Sequence, residues 1–134
     1  MPAKKRILAI DDEASICEMY EQGLPPLGYD VTCASSAKKA KEALAKAIPD
    51  LILMDIMMPD QDGISLTRDI RSDDRTSHVP IVVVSGLSDA ATLNDALLFG
   101  AVDYLVKPFD VDVLQGKIER ALAMAERKKK STQG

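Results

Sequence analysis

The chain has 134 residues, 46% of them hydrophobic, and a net charge of −4. That size suits one domain with one core, and the acidic balance argues against a surface that binds nucleic acid directly, since a phosphate backbone rewards clustered Lys and Arg. Lys4, Lys5 and Arg6 precede an apolar run too short for a signal peptide or a membrane span, so a soluble cytoplasmic protein without membrane contact is expected.

Five short apolar runs recur along the chain: Ile7 to Ile10, Tyr29 to Ala34, Leu51 to Met54, Ile81 to Val84 and Val102 to Val106. Most are continuous rather than alternating, the pattern of strands covered on both faces. Helical spacing fills the gaps. Ile16, Tyr20 and Leu24 share a face in the first helix, but Pro25 and Pro26 follow, so it stops at or before Leu24 and turns toward Gly28. Ala40, Ala43, Leu44 and Ala47 line the second helix, with Ser36 placed to cap it. Leu66 and Ile70 mark the third, and Leu93, Ala96 and Leu97 the fourth, which Gly100 ends. Leu114, Ile118, Ala121, Leu122 and Ala125 mark the fifth. The expected domain covers residues 1–127, and the basic, polar stretch 128–134 reads as a frayed tail.

Strand and helix alternating five times predict an α/β fold: a doubly wound, five-stranded parallel sheet in the order 2-1-3-4-5. Cys17 and Cys33 fall in a helix and a strand, without partners at metal-ligand spacing. A pair so sparse reads as reduced thiols used as core filler in a cytosolic setting.

In this order the tips of strands 1, 3, 4 and 5 are neighbours, at the point where ligands bind in such sheets. Strand 1 ends in Asp11-Asp12-Glu13, strand 3 in Asp55, strand 4 in Ser85 and strand 5 in Lys107-Pro108. Singly these are weak signs, because an acidic pair after a strand often just opens a solvated helix. Together they put the carboxylates of Asp11, Asp12 and Asp55, a hydroxyl and an ammonium on one site. Clustered carboxylates need protons or a hard cation, and an all-oxygen, solvent-reached cluster suits Mg²⁺. With charge neutralised, Asp55 can act as a carboxylate nucleophile toward a phosphoryl group. Mg²⁺, Lys107 and Ser85 can then each take one phosphoryl oxygen.

Four motifs carry a family resemblance over nearly the whole chain: Ile10-Asp11-Asp12-Glu13; Met54-Asp55-Ile56-Met57-Met58-Pro59 with Asp62-Gly63; Val84-Ser85-Gly86; and Asp103-Tyr104-Leu105-Val106-Lys107-Pro108-Phe109. They resemble the response-regulator receivers of two-component signalling, the stand-alone chemotaxis receivers among them, with their flavodoxin-like (βα)5 fold. The resemblance implies that Asp55 accepts the phosphoryl group from a histidine kinase or phosphotransfer protein. It implies that Asp12 ligates Mg²⁺ directly, Asp11 through water, and Asp55 and the Met57 carbonyl complete the protein's share. Lys107 then pairs with the phosphoryl group, Ser85 is the switch hydroxyl, and the Lys107–Pro108 bond is cis. Tyr104 swings inward as Ser85 moves, changing the face made by the fourth helix, fifth strand and fifth helix.

Met57 and Leu87 occupy positions that flank the phosphoryl group in that family. Both are apolar, so slow self-dephosphorylation is expected. His78 reads as a surface residue. Two other readings differ in class: a receiver-shaped interaction module that works without phosphorylation, and an aspartate-nucleophile phosphohydrolase. An intact set of Asp11, Asp12, Asp55, Ser85 and Lys107 argues against the first. Met57, where such a hydrolase carries its general acid, argues against the second, so a signalling module and not an enzyme is expected. A cofactor binder lacks the phosphate loop after strand 1. The output partner is either a separate protein, as in chemotaxis or a phosphorelay, or an output domain beyond this chain. A homodimer formed on phosphorylation stays open.

Overall fold

The computed structural model describes residues 4–133, with side chains through 128. Its strands are β1 (Lys5–Ile10), β2 (Tyr29–Ala34), β3 (Leu51–Met54), β4 (Ile81–Ser85) and β5 (Asp103–Val106). They alternate with α1 (Ala14–Gly23), α2 (Ala37–Lys46), α3 (Gly63–Ser72), α4 (Ala90–Leu98) and α5 (Val111–Gln133). All pairings are parallel, in the order β2-β1-β3-β4-β5 expected from the sequence.

The continuous apolar runs reflect two covered faces. Leu8, Ile10, Ile52, Met54 and Val83 point to one side, against Ala40 and Leu44 of α2, Leu66 and Ile70 of α3 and Ala96 of α4. Ile7, Ala9, Leu51, Leu53, Val82 and Val84 point to the other, against Tyr20 of α1 and Leu114, Ile118 and Ala121 of α5. Every residue of β3 and β4 is buried. Neither central strand could take a polar residue before its last position without stranding it in the core.

Local chemistry sets the element ends. α1 stops at Gly23, and Pro25–Leu27 form a 3-10 turn leading to Gly28 at φ 100°, as the two prolines require. Ser36 caps α2, its hydroxyl accepting from the Lys39 N–H at 3.1 Å. The Asp60 carboxylate, from the β3–α3 loop, takes the adjacent orphan N–H groups of Ala37 and Lys38. Gly100, at φ 120°, ends α4 as expected. Arg71 at the end of α3 donates to the carbonyls of Gly100, Val79 and Ser77. That guanidinium ties α3 to the segments that enter β4 and β5.

Two expectations are corrected. α5 continues through the basic run to Gln133 instead of ending at 127; Ala, Glu, Arg and Lys are strong helix formers, and no proline or glycine interrupts them after Gly116. The cysteines are not separate thiols: Cys17 and Cys33 form a disulfide, their Cα atoms 5.9 Å apart. The parallel register places β2 beside β1 and α1 packs over both. A residue in α1's first turns therefore faces one near the end of β2, a proximity that sequence spacing does not display. Among the described residues, no helix is long and apolar enough to cross a membrane.

Candidate functional site

The carboxyl ends of four strands meet, and the sheet's own hydrogen bonds continue one residue past each strand to aim the polar groups. The Asp11 N–H donates to Ala34 in β2 at 3.0 Å, and the Asp55 N–H to Ile10 in β1 at 2.9 Å. The Lys107 N–H donates to the Ser85 carbonyl at 2.8 Å. Each polar residue is thus the first beyond an apolar run, or its last, held at a fixed level by a neighbouring strand.

Asp11, Asp55 and Ser85 are 1%, 4% and 2% exposed, whereas Asp12 and Glu13 reach solvent. The Lys107 ammonium sits among the acids, 2.8 Å from Asp11 Oδ2, 3.3 Å from Glu13 Oε1 and 3.7 Å from Asp55 Oδ2. The other oxygen of Asp11 accepts the Glu13 N–H at 3.0 Å, which leaves the exposed Asp12 the freer carboxylate. Ser85 Oγ accepts the Leu87 N–H at 3.2 Å. Met57, 63% exposed, stands at the rim of the open cleft that Asp12, Asp55, Ser85 and Lys107 line. The Lys107–Pro108 peptide is cis, as expected. Tyr104 and Leu87 are partly buried against the core on the α4 side; His78 is exposed.

The electrostatics follow from this packing. Burial, and next the charge of Asp11, push the Asp55 carboxyl up to about 6; Lys107 and the backbone N–H groups of Ile56 and Met57 hold it back. Burial works against the Lys107 ammonium, but its hydrogen bond to Asp11 and the charges of Asp11, Asp55 and Glu13 prevail and raise its pKa. Among the described residues, one ammonium balances a cluster of four carboxylates, so the site is short of positive charge.

Asp11, Asp12 and Asp55 each offer a carboxylate oxygen, all within 4.8 Å of one another. A hard, all-oxygen donor set with an exposed side fits a divalent cation that keeps part of its water, as Mg²⁺ does. The structure thus brings together Asp11, Asp12, Asp55, Ser85 and Lys107, with Met57 at the rim and Tyr104 set back in the core edge. Sequence reasoning left two residues without a role. Glu13 shares Lys107 with the aspartates, and its place beside them was the available signal. Gly63 opens α3, and a side chain there would collide with the Asp55 carbonyl and the Ile56 backbone.

The comparisons agree with this arrangement. The family model described as response regulator receiver domain matches residues 7–119. Regulatory protein AtoC of Escherichia coli (strain K12) is 36% identical over 129 residues, 96% of this chain but 28% of the relative. The probable transcriptional regulator ycf27 of Guillardia theta is 38% identical over 91% of this chain and 47% of its own length. The chain therefore spans less than half of these curated relatives. Among solved structures, the CheY-like response regulator receiver domain protein from Methanospirillum hungatei JF-1 superposes with a TM-score of 0.87 at 28% identity, covering 93% of this chain and 98% of that one. On its fold, its strand-end residues and these matches, the chain belongs to the response regulator receiver domain family.

Proposed function

We propose that Asp55 is the phosphoacceptor of this receiver domain and that Asp11, Asp12, Asp55 and the Met57 carbonyl hold Mg²⁺. The observation that carries the reading is the buried Asp55 carboxylate facing Lys107 and Asp11 at the end of β3. Mg²⁺, when bound, supplies the positive charge that lets an anionic phosphodonor approach a carboxylate cluster. Asp55 attacks the phosphorus, the donor's leaving group departs, and an aspartyl phosphate forms. Lys107, already within 3.7 Å of Asp55 Oδ2, pairs with one phosphoryl oxygen. Ser85 gives up its contact with the Leu87 N–H to reach another. Tyr104 follows Ser85 inward, and the surface of α4, β5 and α5 changes with it.

The donor is a sensor histidine kinase or a phosphotransfer protein, and the altered face acts on a separate target, on an output domain or on a second copy. The domain works in the cytoplasm as a switch and not as an enzyme with a released product. Incubation with Mg²⁺ and acetyl phosphate, read by intact mass, tests the reading. One added phosphoryl group that requires Mg²⁺ and is lost in Asp55→Asn supports it. No gain in the folded, Mg²⁺-loaded chain overturns it in favour of a phosphorylation-independent interaction module.

A further inference from the structure

The bond between Cys17 and Cys33 reaches the acidic loop from both sides. Cys17 lies in the first turns of α1, and its N–H donates to the carbonyl of Glu13. Its sulfur stands 3.3 Å from the Asp11 carbonyl oxygen. As a disulfide sulfur it has no proton to donate there; as a thiol it would have one. Cys33 precedes Ala34, whose carbonyl receives the Asp11 N–H at 3.0 Å. One covalent link therefore fixes the start of α1 to the end of β2, and the segment Asp11–Asp12–Glu13, which runs from β1 into α1, is held by α1 through Glu13 and by β2 through the Asp11 N–H. Both cysteines are only partly buried, so small thiols and disulfides reach them.

We infer that Cys17–Cys33 is a thiol-exchangeable clamp on the metal-ligand loop, closed when oxidised, and that opening it weakens Mg²⁺ binding. The inference rests on the reading of Asp11, Asp12 and Asp55 as the Mg²⁺ site. Opening is a two-electron exchange. A thiolate of a small thiol attacks one sulfur, the Cys17–Cys33 bond breaks, and a mixed disulfide forms. A second thiolate releases the small-molecule disulfide, and both cysteine sulfurs take up protons from the two reductant thiols. The protein disulfide is reduced and the small thiol oxidised. Once open, α1 and β2 are joined near the site only through non-covalent packing. Asp11 and Asp12 must then be ordered by the cation itself, and preorganisation is lost.

The test uses the full chain at a temperature where both forms stay folded by circular dichroism. Iodoacetamide labelling read by intact mass shows none or two alkylated thiols before and after dithiothreitol. Isothermal titration calorimetry with MgCl₂ then compares the forms. The oxidised form should bind Mg²⁺ about three- to tenfold more tightly. Cys17→Ser/Cys33→Ser should bind like the reduced form and ignore dithiothreitol. Equal affinities in both labelled states overturn the clamp and leave the metal site intact. Binding in neither state removes the metal site, and the clamp with it. A bond that dithiothreitol cannot open in the folded protein also overturns the inference.

Discussion

Gly63, the first residue of α3, lies so close to Asp55 that a Cβ placed on it would overlap the Asp55 carbonyl, and its N–H donates to the Ile56 carbonyl at 2.7 Å. The residue that opens α3 is thus packed on the backbone of the proposed phosphoacceptor. Backbone cannot yield as a flexible side chain can. Gly63→Ala should cost about 1–3 kcal/mol through overpacking. It should also slow phosphorylation by acetyl phosphate, because the strand end that aims Asp55 must shift. Urea unfolding and the rate of mass gain measure the two effects; an alanine variant that matches the parent in both would show the contact to be inert.

Burial and the Asp11 charge raise the Asp55 carboxyl from 3.8 to about 6. The folded state keeps a proton that the unfolded chain has released, so this group's contribution to stability falls as pH rises from about 4 to about 6. Above that range the full cost is present, on the order of 2–3 kcal/mol. Asp55→Asn removes it. The metal-free variant should be more stable than the parent at pH 7.5 by about that amount and nearly equal to it at pH 4. Denaturant midpoints at the two pH values decide the matter. Mg²⁺ should narrow the difference at pH 7.5 by stabilising the parent.

Among the described residues, Lys107 is the one ammonium held against Asp11 and Asp55, with its side chain and theirs largely out of water. Removing one partner of a buried pair leaves the other charge uncompensated, at a cost of about 3–5 kcal/mol. Lys107→Ala should lose that much stability without metal and recover a large part in saturating MgCl₂. The gain in melting temperature on adding Mg²⁺ should therefore be larger for the variant than for the parent. An equal gain would separate the ammonium from the metal site.

Met57 is exposed at the rim and Leu87 packs into the core edge, and neither side chain can hydrogen-bond a water molecule. The aspartyl phosphate should persist for minutes or longer after the phosphodonor is removed, followed by intact mass. Met57→Asn, which adds an amide able to orient water, should shorten that lifetime several-fold. Decay within seconds in the parent would show that another group positions the water.

The sequence made the sheet legible because each strand is a continuous apolar run that stops abruptly at an acid, a hydroxyl or an ammonium. Buried backbone tolerates that pattern only at strand ends. Asp11, Asp55, Ser85 and Lys107 could be grouped because strand order alone brings those ends together. Gly100 and the Pro25-Pro26 pair worked as stops for reasons internal to the chain. The disulfide escaped because it depends on how α1 lies across β1 and β2, which no spacing encodes. The Gly63 contact escaped for the same kind of reason: glycine before a helix reads as a loop residue until its neighbour is seen. The length of α5 is hidden by charge: a basic run resembles a tail, although its Lys, Arg, Glu and Ala residues favour helix.

The Arg71 guanidinium gathers the carbonyls of Gly100, Val79 and Ser77, and so pins the foot of α4 at the edge of the sheet remote from Asp55. Ala96 is the only buried residue of α4, and Leu97 and Leu98 face solvent. A helix fastened at one end and lightly seated along its length behaves as a lever. Its fulcrum lies at Gly100 and its free tip lies just beyond Ser85 and Leu87. A displacement begun at the tip should swing the helix about Gly100 instead of sliding it, with the travel greatest next to Ser85 and Leu87 and least toward Arg71.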